Sequence, residues 1–355
     1  MVKRDIIVIG ASAGGIEALQ TLLKALPGDF DASVLVVLHT SNHAGSLLPQ
    51  ILQRAGNLPV FHPSDKCPIA KGNVYVAPPD FHMIVEGDIL RVVKGPRENL
   101  HRPAIDPLFR SAAASYGRRV IGVILTGMLD DGTSGLMLIQ ARGGETVIQD
   151  PSSALFSAMP ENALEEVPKA HVLPLEQIPN LLMQLTSESL PEKASSRKQL
   201  HSTDSVEAER EIKISEFDMS QIGSEDHVGQ PSVFGCPDCG GVLWEIEDNG
   251  FLRFRCRVGH AYTARHLDAE QRLSIETALW ASLRALEESA SLYRRMADRA
   301  EQSRHDQTAR QFRSRASNAE DNARAVREFL LNVNRIEDQR GHPQRDKPRD
   351  LGYAR

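Results

Sequence analysis

Ser12 stands in Gly10-Ala11-Ser12-Ala13-Gly14-Gly15, directly after the apolar residues 6–9 and before the helical Ile16-Glu17-Ala18-Leu19. This is G-x-S-x-G at a strand–turn–helix junction. Small neighbours permit the tight turn, the turn exposes the hydroxyl at the carboxyl edge of a sheet, and the helix start offers backbone N–H groups to an oxyanion. A glycine-rich first turn also cradles pyrophosphate in dinucleotide folds. Here, however, Ser12 occupies the place of the second glycine of G-x-G-x-x-G, and the second apolar run ends in His39 rather than an acidic residue.

A serine nucleophile needs a histidine to take its proton and a carboxylate to fix that histidine's tautomer. His39 follows residues 34–38. Residues 120–125 run into Thr126-Gly127-Met128-Leu129-Asp130-Asp131-Gly132, so two carboxylates reach the same edge. Taken singly, a strand-end histidine is more often a hydrogen-bonded loop residue and Asp-Asp-Gly more often a turn. Together the three groups point to acyl transfer through a covalent serine ester. His43 is the rival base, whereas His62, His82, His101 and His171 lie in loops or near strand ends without comparable placement.

A second constellation is Cys236-Pro237-Asp238-Cys239-Gly240-Gly241 followed by Cys256-Arg257-Val258-Gly259-His260. The spacing C-x2-C, a 16-residue spacer and C-x3-H supplies three thiolates and one imidazole, a closed tetrahedral set suited to structural zinc. A redox reading of C-x-x-C lacks a surrounding βαβ pattern. Cys67, alone in the first half, reads as a small buried residue.

The elements that must hold these groups follow from periodicity. Residues 6–9, 34–38 and 120–125 are continuously apolar, as in parallel strands covered on both faces. Residues 73–76, 83–85 and 89–93 read as antiparallel strands with a tight turn at Glu86-Gly87-Asp88. The expectation is an α/β, doubly wound, mostly parallel Rossmann-like sheet with an antiparallel edge hairpin, spanning residues 1–186. Residues 187–230 are polar and poor in aromatics and read as a flexible linker, with 212–217 the one stretch that could dock. Residues 231–265 form a zinc-ribbon-like β unit carrying the Cys3His set. Residues 266–340 carry Leu279, Leu283, Leu286, Ala290 and Tyr293, then Phe312, Ala316, Ala319, Ala323, Val326, Leu330 and Val333, at the spacing of packed helices. A helical hairpin or a dimerising coiled coil follows, and a disordered tail at 341–355.

At 355 residues the chain is about 2.4 typical domain lengths of about 150, so two or three modules are expected. A net charge of −6 gives no basic field for nucleic acid or an anionic membrane. No apolar run of membrane-spanning length appears, and the segment before residue 10 is too short for a signal peptide. A cytoplasmic enzyme without membrane insertion is expected. In the second half, Arg253, Arg255, Arg257 and Arg265 face Glu245, Glu247 and Asp248, which favours protein docking over nucleic acid. The chain order Ser…His…Asp excludes ordinary α/β-hydrolases, which run Ser…Asp…His.

The motifs I-G-A-S-A-G-G, V-V-L-H, H-R-P-A-I-D-P-L-F and L-T-G-M-L-D-D-G closely resemble the catalytic domain of chemotaxis protein-glutamate methylesterases of the CheB type, over residues 3–185. The resemblance implies hydrolysis of glutamate γ-methyl esters on the cytoplasmic helices of chemoreceptors with release of methanol and no catalytic cofactor. Many members also deamidate receptor glutamines. By position it makes Ser12 the nucleophile, His39 the base and Asp131, rather than Asp130, the orienting carboxylate. It associates the Met128 N–H with the oxyanion hole and places Arg102 and Asp106 along the cleft as substrate contacts. The family usually has threonine or another small residue where this chain has Ala13, so only a backbone N–H role carries over there. Typical members carry a phosphoacceptor receiver domain ahead of the catalytic domain; the expectation here is control by other means, with the C-terminal half a docking site for a regulatory protein or a homo-oligomer contact. The cysteine spacing resembles a module that follows the esterase domain in some variants of the family. Two rivals stand beside the esterase: a catalytically silent adaptor of the same fold, and a dinucleotide-binding oxidoreductase.

Overall fold

The computed structural model describes residues 2–39, 47–190, 202–216, 229–248 and 250–340. Two compact units result, Met1–Asp268 and Ala269–Arg355. The first unit begins with β1 (Ile6–Ala11), α1 (Gly15–Ala25), β2 (Ser33–Leu38), α2 (Leu48–Gln53), β3 (Val60–Phe61), β4 (Cys67–Pro68) and β5 (Val74–Val76). A hairpin of β6 (His82–Glu86) and β7 (Ile89–Val93) follows, then α3 (Ile105–Tyr116), β8 (Val120–Ile124) and α4 (Thr133–Ala141). Next come β9 (Glu145–Gln149), α5 (Ala158–Glu166), β10 (His171–Leu173) and α6 (Ile178–Ser187). Seven strands in the order β10-β9-β8-β1-β2-β5-β3 form one wholly parallel sheet.

Successive residues of each strand point to opposite faces, so an unbroken apolar run feeds two cores at once. Ile7, Ile9, Val34, Val36 and Val123 pack with Leu19, Leu22 and Leu23 of α1 and with Ile178 and Leu182 of α6. Ile6, Val8, Leu35, Val37 and Ile124 pack with Leu108 and Phe109 of α3, Leu136 of α4 and Met159 of α5. Each such side chain contributes about 1.5–3 kcal/mol on burial. The chain leaves β1 for β2 on one side and returns to β8 on the other, which opens a crevice at the carboxyl ends of these three strands.

Residues 73–76 do not pair antiparallel, as the sequence suggested. Val74, Tyr75 and Val76 are all buried, and β5 runs parallel to β2 and β3. The antiparallel hairpin β6–β7 is present, but it joins β4 in a three-stranded sheet of its own instead of extending the main one.

Helices α3 and α4 meet at Gly135. A Cβ there would lie 2.3 Å from the Phe109 Cβ, and the Gly135 N–H donates to Oδ1 of Asp106 at 2.7 Å. Gly135→Ala should therefore force the helices apart at a cost of about 1–3 kcal/mol, read as a lowered midpoint of urea unfolding. An unchanged midpoint would mean that the contact can relax freely.

The segment 187–230, expected as a linker, carries a helix, α7 (Ser202–Ser215). Its last turn is buried, with Glu211, Ile214 and Ser215 each below a tenth exposed; Phe217 lies outside the described residues. Beyond it β11 (Gln230–Gly235), β12 (Val242–Asp248), β13 (Phe251–Cys256) and β14 (Ala261–Thr263) form an antiparallel sheet. Charge holds α7 down. Arg253 Nη1 donates to both Glu211 oxygens at 2.8 and 3.0 Å, and Arg255 lies 3.3 Å from both Glu211 and Glu98. Arg110 of α3 donates to Glu98 at 2.6 Å, and the Ser215 hydroxyl donates to Glu98 at 2.5 Å. Arg253 and Arg255 are thus buried against α7 and the first domain, a correction to their reading as a surface faced by Glu245, Glu247 and Asp248; Glu245 and Glu247 are exposed.

α8 (Ala264–Gln302) and α9 (Asp306–Arg340) are long helices joined by a short turn. Within the second unit Leu283 packs against Ala323 and Leu330, flanked by Leu279, Leu286 and Val326, and Tyr293 stacks on Phe312. The expected tail at 341–355 lies outside the described residues.

Candidate active site and metal cluster

Ser12 follows β1 and precedes α1, whose N-cap Gly14 sits at φ +74°, a left-handed conformation that glycine adopts without strain. The Ser12 N–H donates to Thr126 O at 3.0 Å and the His39 N–H to Ala11 O at 3.1 Å, so strand ladders fix both residues from below. The Ser12 hydroxyl and Nδ1 of His39 are 3.1 Å apart, and Nε2 of His39 lies 2.7 Å from Oδ2 of Asp131. An ionised carboxylate only accepts, so Nε2 carries the proton and Nδ1 is free to accept from the serine. The imidazole is turned relative to the common serine-protease arrangement, in which Nε2 faces the serine.

Asp131 is wholly buried and fully engaged. It accepts from the Ile105 N–H at 2.7 Å, the Asp106 N–H at 3.4 Å and the Asn99 amide at 2.8 Å, besides His39. The first two donors are the start of α3, whose dipole favours an anion. Burial alone would raise the Asp131 carboxyl, but the His39 contact, the Ile105 N–H and the Asn99 amide outweigh it and hold it well below the usual range. Burial and the adjacent Asp131 push the Asp106 carboxyl the other way, up to about 8. At neutral pH the pair therefore keeps its negative charge on Asp131, where it faces the imidazole.

The remaining expected site residues take the following positions. Asp106 is 2% exposed and lies behind Asp131, so it does not line the cleft. The Arg102 guanidinium is taken up by Asp80 at 2.6 and 2.9 Å and by Gly95 O at 2.7 Å, which makes it a clamp on the loop before α3. The backbone N–H groups of Ala13 and Met128 have no acceptor among the described residues. Gly127, next to Met128, approaches Ser12 so closely that a Cβ on it would lie 2.9 Å from the serine Cβ. His43 lies outside the described residues.

Two residues near the triad escaped the sequence reading. His101 stacks on His39 with ring centroids 3.6 Å apart, and burial together with neighbouring His39 pushes it down to about 3, so it stays neutral. Asn99, at φ +49°, uses its whole amide: Nδ2 donates to Asp131 and Asp106, and Oδ1 accepts from the Thr263 N–H at 2.9 Å. The run Glu98-Asn99 directly upstream of His101-Arg102-Pro103 was the available signal, two hydrogen-bonding side chains on a strand-poor stretch.

In the four-stranded unit the Sγ atoms of Cys236, Cys239 and Cys256 and a ring nitrogen of His260 all lie within 4.8 Å of one another. Cys239 and Cys256 sulfurs are 3.7 Å apart, and Nδ1 of His260 is 3.7 Å from Cys236 and 3.6 Å from Cys256. A tetrahedral zinc at about 2.3 Å from sulfur and 2.1 Å from nitrogen sets its ligands about 3.5–3.8 Å apart, so the cluster fits such an ion. A disulfide would need about 2.05 Å, and all three cysteines are free.

With this geometry in hand, the family model for the CheB methylesterase matches residues 7–182. A Leptospira interrogans protein named "Putative protein-glutamate methylesterase/protein-glutamine glutaminase" is 39% identical over 190 residues, 53% of this chain and 98% of that protein. A protein-glutamate methylesterase/protein-glutamine glutaminase of Anaeromyxobacter dehalogenans is 38% identical over 182 residues, 51% of this chain and 53% of its own length. The crystal structure of the Thermotoga maritima CheB methylesterase catalytic domain superposes with a TM-score of 0.50 at 34% identity, covering 52% of this chain and all of that one. The family model ends at residue 182, before the cysteine unit. Among the described residues no helix is long and apolar enough to cross a membrane.

Proposed function

The chain belongs to the CheB methylesterase family, and from that premise we propose that it is a serine esterase that hydrolyses glutamate γ-methyl esters on the cytoplasmic helices of chemoreceptors. The observation that carries this reading is the unbroken chain Ser12–His39–Asp131 at the point where the strand order reverses. His39 accepts the Ser12 proton through Nδ1 as Oγ attacks the ester carbonyl. Asp131 stabilises the imidazolium through Nε2–H, and the Ala13 and Met128 N–H groups receive the oxyanion. The imidazolium returns its proton to the departing methoxide, and methanol leaves. Water, with His39 again as base, then cleaves the acyl-serine to free glutamate and regenerate Ser12. The same steps release ammonia from a receptor glutamine, the second activity carried in the relatives' names. None of these steps calls for a catalytic cofactor.

We assign Cys236, Cys239, Cys256 and His260 to a structural zinc, since a closed set of four protein ligands leaves no position for substrate. When bound, the ion supplies folding free energy to a small unit.

The test is methanol release from methylated chemoreceptor membranes, run beside labelling with a fluorophosphonate and mapping of the adduct. Methanol release with the adduct on Ser12 is the expected result. Neither release nor adduct on several receptors would replace the esterase by a silent adaptor.

A further inference from the structure

We infer that β14, through Asn99 and Asp130, is a positioning element of the esterase site, so that zinc occupancy of the Cys3His cluster sets the reactivity of Ser12. The inference deepens the esterase reading and rests on it. Its ground is a short covalent and hydrogen-bonded path. His260 is followed directly by Ala261, whose N–H donates to Arg97 O at 3.2 Å and whose carbonyl accepts the Asn99 N–H at 2.8 Å. Two residues on, the Thr263 N–H holds the Asn99 carbonyl oxygen, while the other end of that amide holds Asp131.

Thr263 also caps α8, accepting the His266 N–H at 3.2 Å, and its own hydroxyl donates to Asp130 Oδ1 at 2.6 Å. His266 Nδ1 lies 2.8 Å from the same oxygen. Asp130 is the residue before Asp131, so the loop bearing the orienting carboxylate is gripped from two directions by this segment. His266 further meets His101 edge-on at 6.4 Å, and His101 stacks on His39. His39 and Asp131 are thus both in contact with groups, His101 and Asn99, that β14 and the start of α8 touch.

The unit that anchors β14 is small. Its buried core is Cys236, Leu243, Phe254, Cys256, Tyr262 and Leu267, and two of these are themselves cluster ligands. Such a unit depends on its metal for folding free energy. Without the ion, the link from Cys236 and Cys239 to Cys256 and His260 is lost, and the edge formed by Ala261 and Thr263 loosens with it. A displacement of about 1 Å at a catalytic group costs about 10²-fold in rate.

The test uses the full chain, loaded with zinc and then stripped by a chelator. The readouts are zinc content, the rate of fluorophosphonate labelling of Ser12, and the pH midpoint of that labelling. The groups that face the His39 ring are Ser12, Asp131 and His101, with His266 and Arg97 beyond His101. Stripping should slow labelling by about 100-fold and readdition of zinc should restore it. Thr263→Val keeps every metal ligand; it should retain zinc, label about tenfold more slowly and show an altered pH midpoint of labelling. Thr263→Ser should restore rate and midpoint. A stripped chain that labels at the loaded rate overturns the inference, as does a zinc-bearing Thr263→Val chain with unchanged rate and midpoint. A loaded wild-type chain that is never labelled overturns the esterase reading and this inference together.

Discussion

Ser12→Ala should lower kcat for methanol release by about 10⁶-fold, His39→Ala by a similar factor, and the double variant no further. The reason is that the two groups act as one: without the imidazole the hydroxyl is not activated, and without the hydroxyl the imidazole has nothing to activate. Oxyanion donors and binding would leave a residual of about 10³–10⁴ over water. Asp131→Asn should cost about 10⁴-fold for a different reason. An amide at 131 can donate to Nε2, which moves the imidazole proton to Nδ1 and turns that nitrogen into a donor facing Ser12. It also forfeits one of the acceptors used by the Ile105 N–H and the Asn99 amide. Steady-state kinetics on methylated receptor membranes would measure all four variants. Additive losses in the double variant would show that serine and histidine work separately.

Glu211→Gln should destabilise the first unit by about 3–5 kcal/mol, because it removes a buried carboxylate from its ion pairs with Arg110, Arg253 and Arg255. The same cluster makes a statement about acid. Burial works to raise the Glu98 carboxyl, but Arg110 and Arg255 outweigh it and hold it at about 2 against an ordinary 4.5. Glu211 is likewise held well below its ordinary range by the three arginines, against the effect of burial. A carboxyl depressed in the folded state contributes stability above its ordinary pKa and loses it as pH falls through the folded value. For Glu98 that contribution is on the order of 3 kcal/mol, complete above about pH 4.5 and gone near pH 2. Urea unfolding at a series of pH values should show a midpoint that falls below pH 4.5, with a shallower fall in Glu98→Gln. Equal slopes would mean that Glu98 is not the titrating group.

The α/β half was legible because its signal is local. Continuous apolar runs announced covered parallel strands, and a serine, a histidine and a carboxylate each ended one of them. The cysteine spacing likewise predicted a cluster that the backbone does assemble. What stayed hidden depends on partners far along the chain. Composition marked 187–230 as unable to fold alone, which is a statement about apolar area. Glu211 docks instead on arginines 42 and 44 residues away and on Arg110 of α3. Residues 73–76 were too short for periodicity to separate a parallel core strand from a hairpin arm. Asn99 and His101 gain their roles only when the loop before α3 folds over the strand ends, and no spacing rule encodes that approach.

The sharing of Glu98, Arg110, Glu211, Arg253 and Arg255 among α3, α7, β13 and the loop before α3 bears on how such proteins can be recombined. A boundary drawn near residue 186 looks like a clean seam between a hydrolase and its appendage. Cutting there, or exchanging the appendage for another, would strip Arg110 of one of its two acidic partners and leave the Asn99 carbonyl to find a new donor. In this chain the two sides of the seam are thus coupled, and a chimera that exchanged the appendage alone is expected to lose buried ion pairs and a hydrogen bond to Asn99.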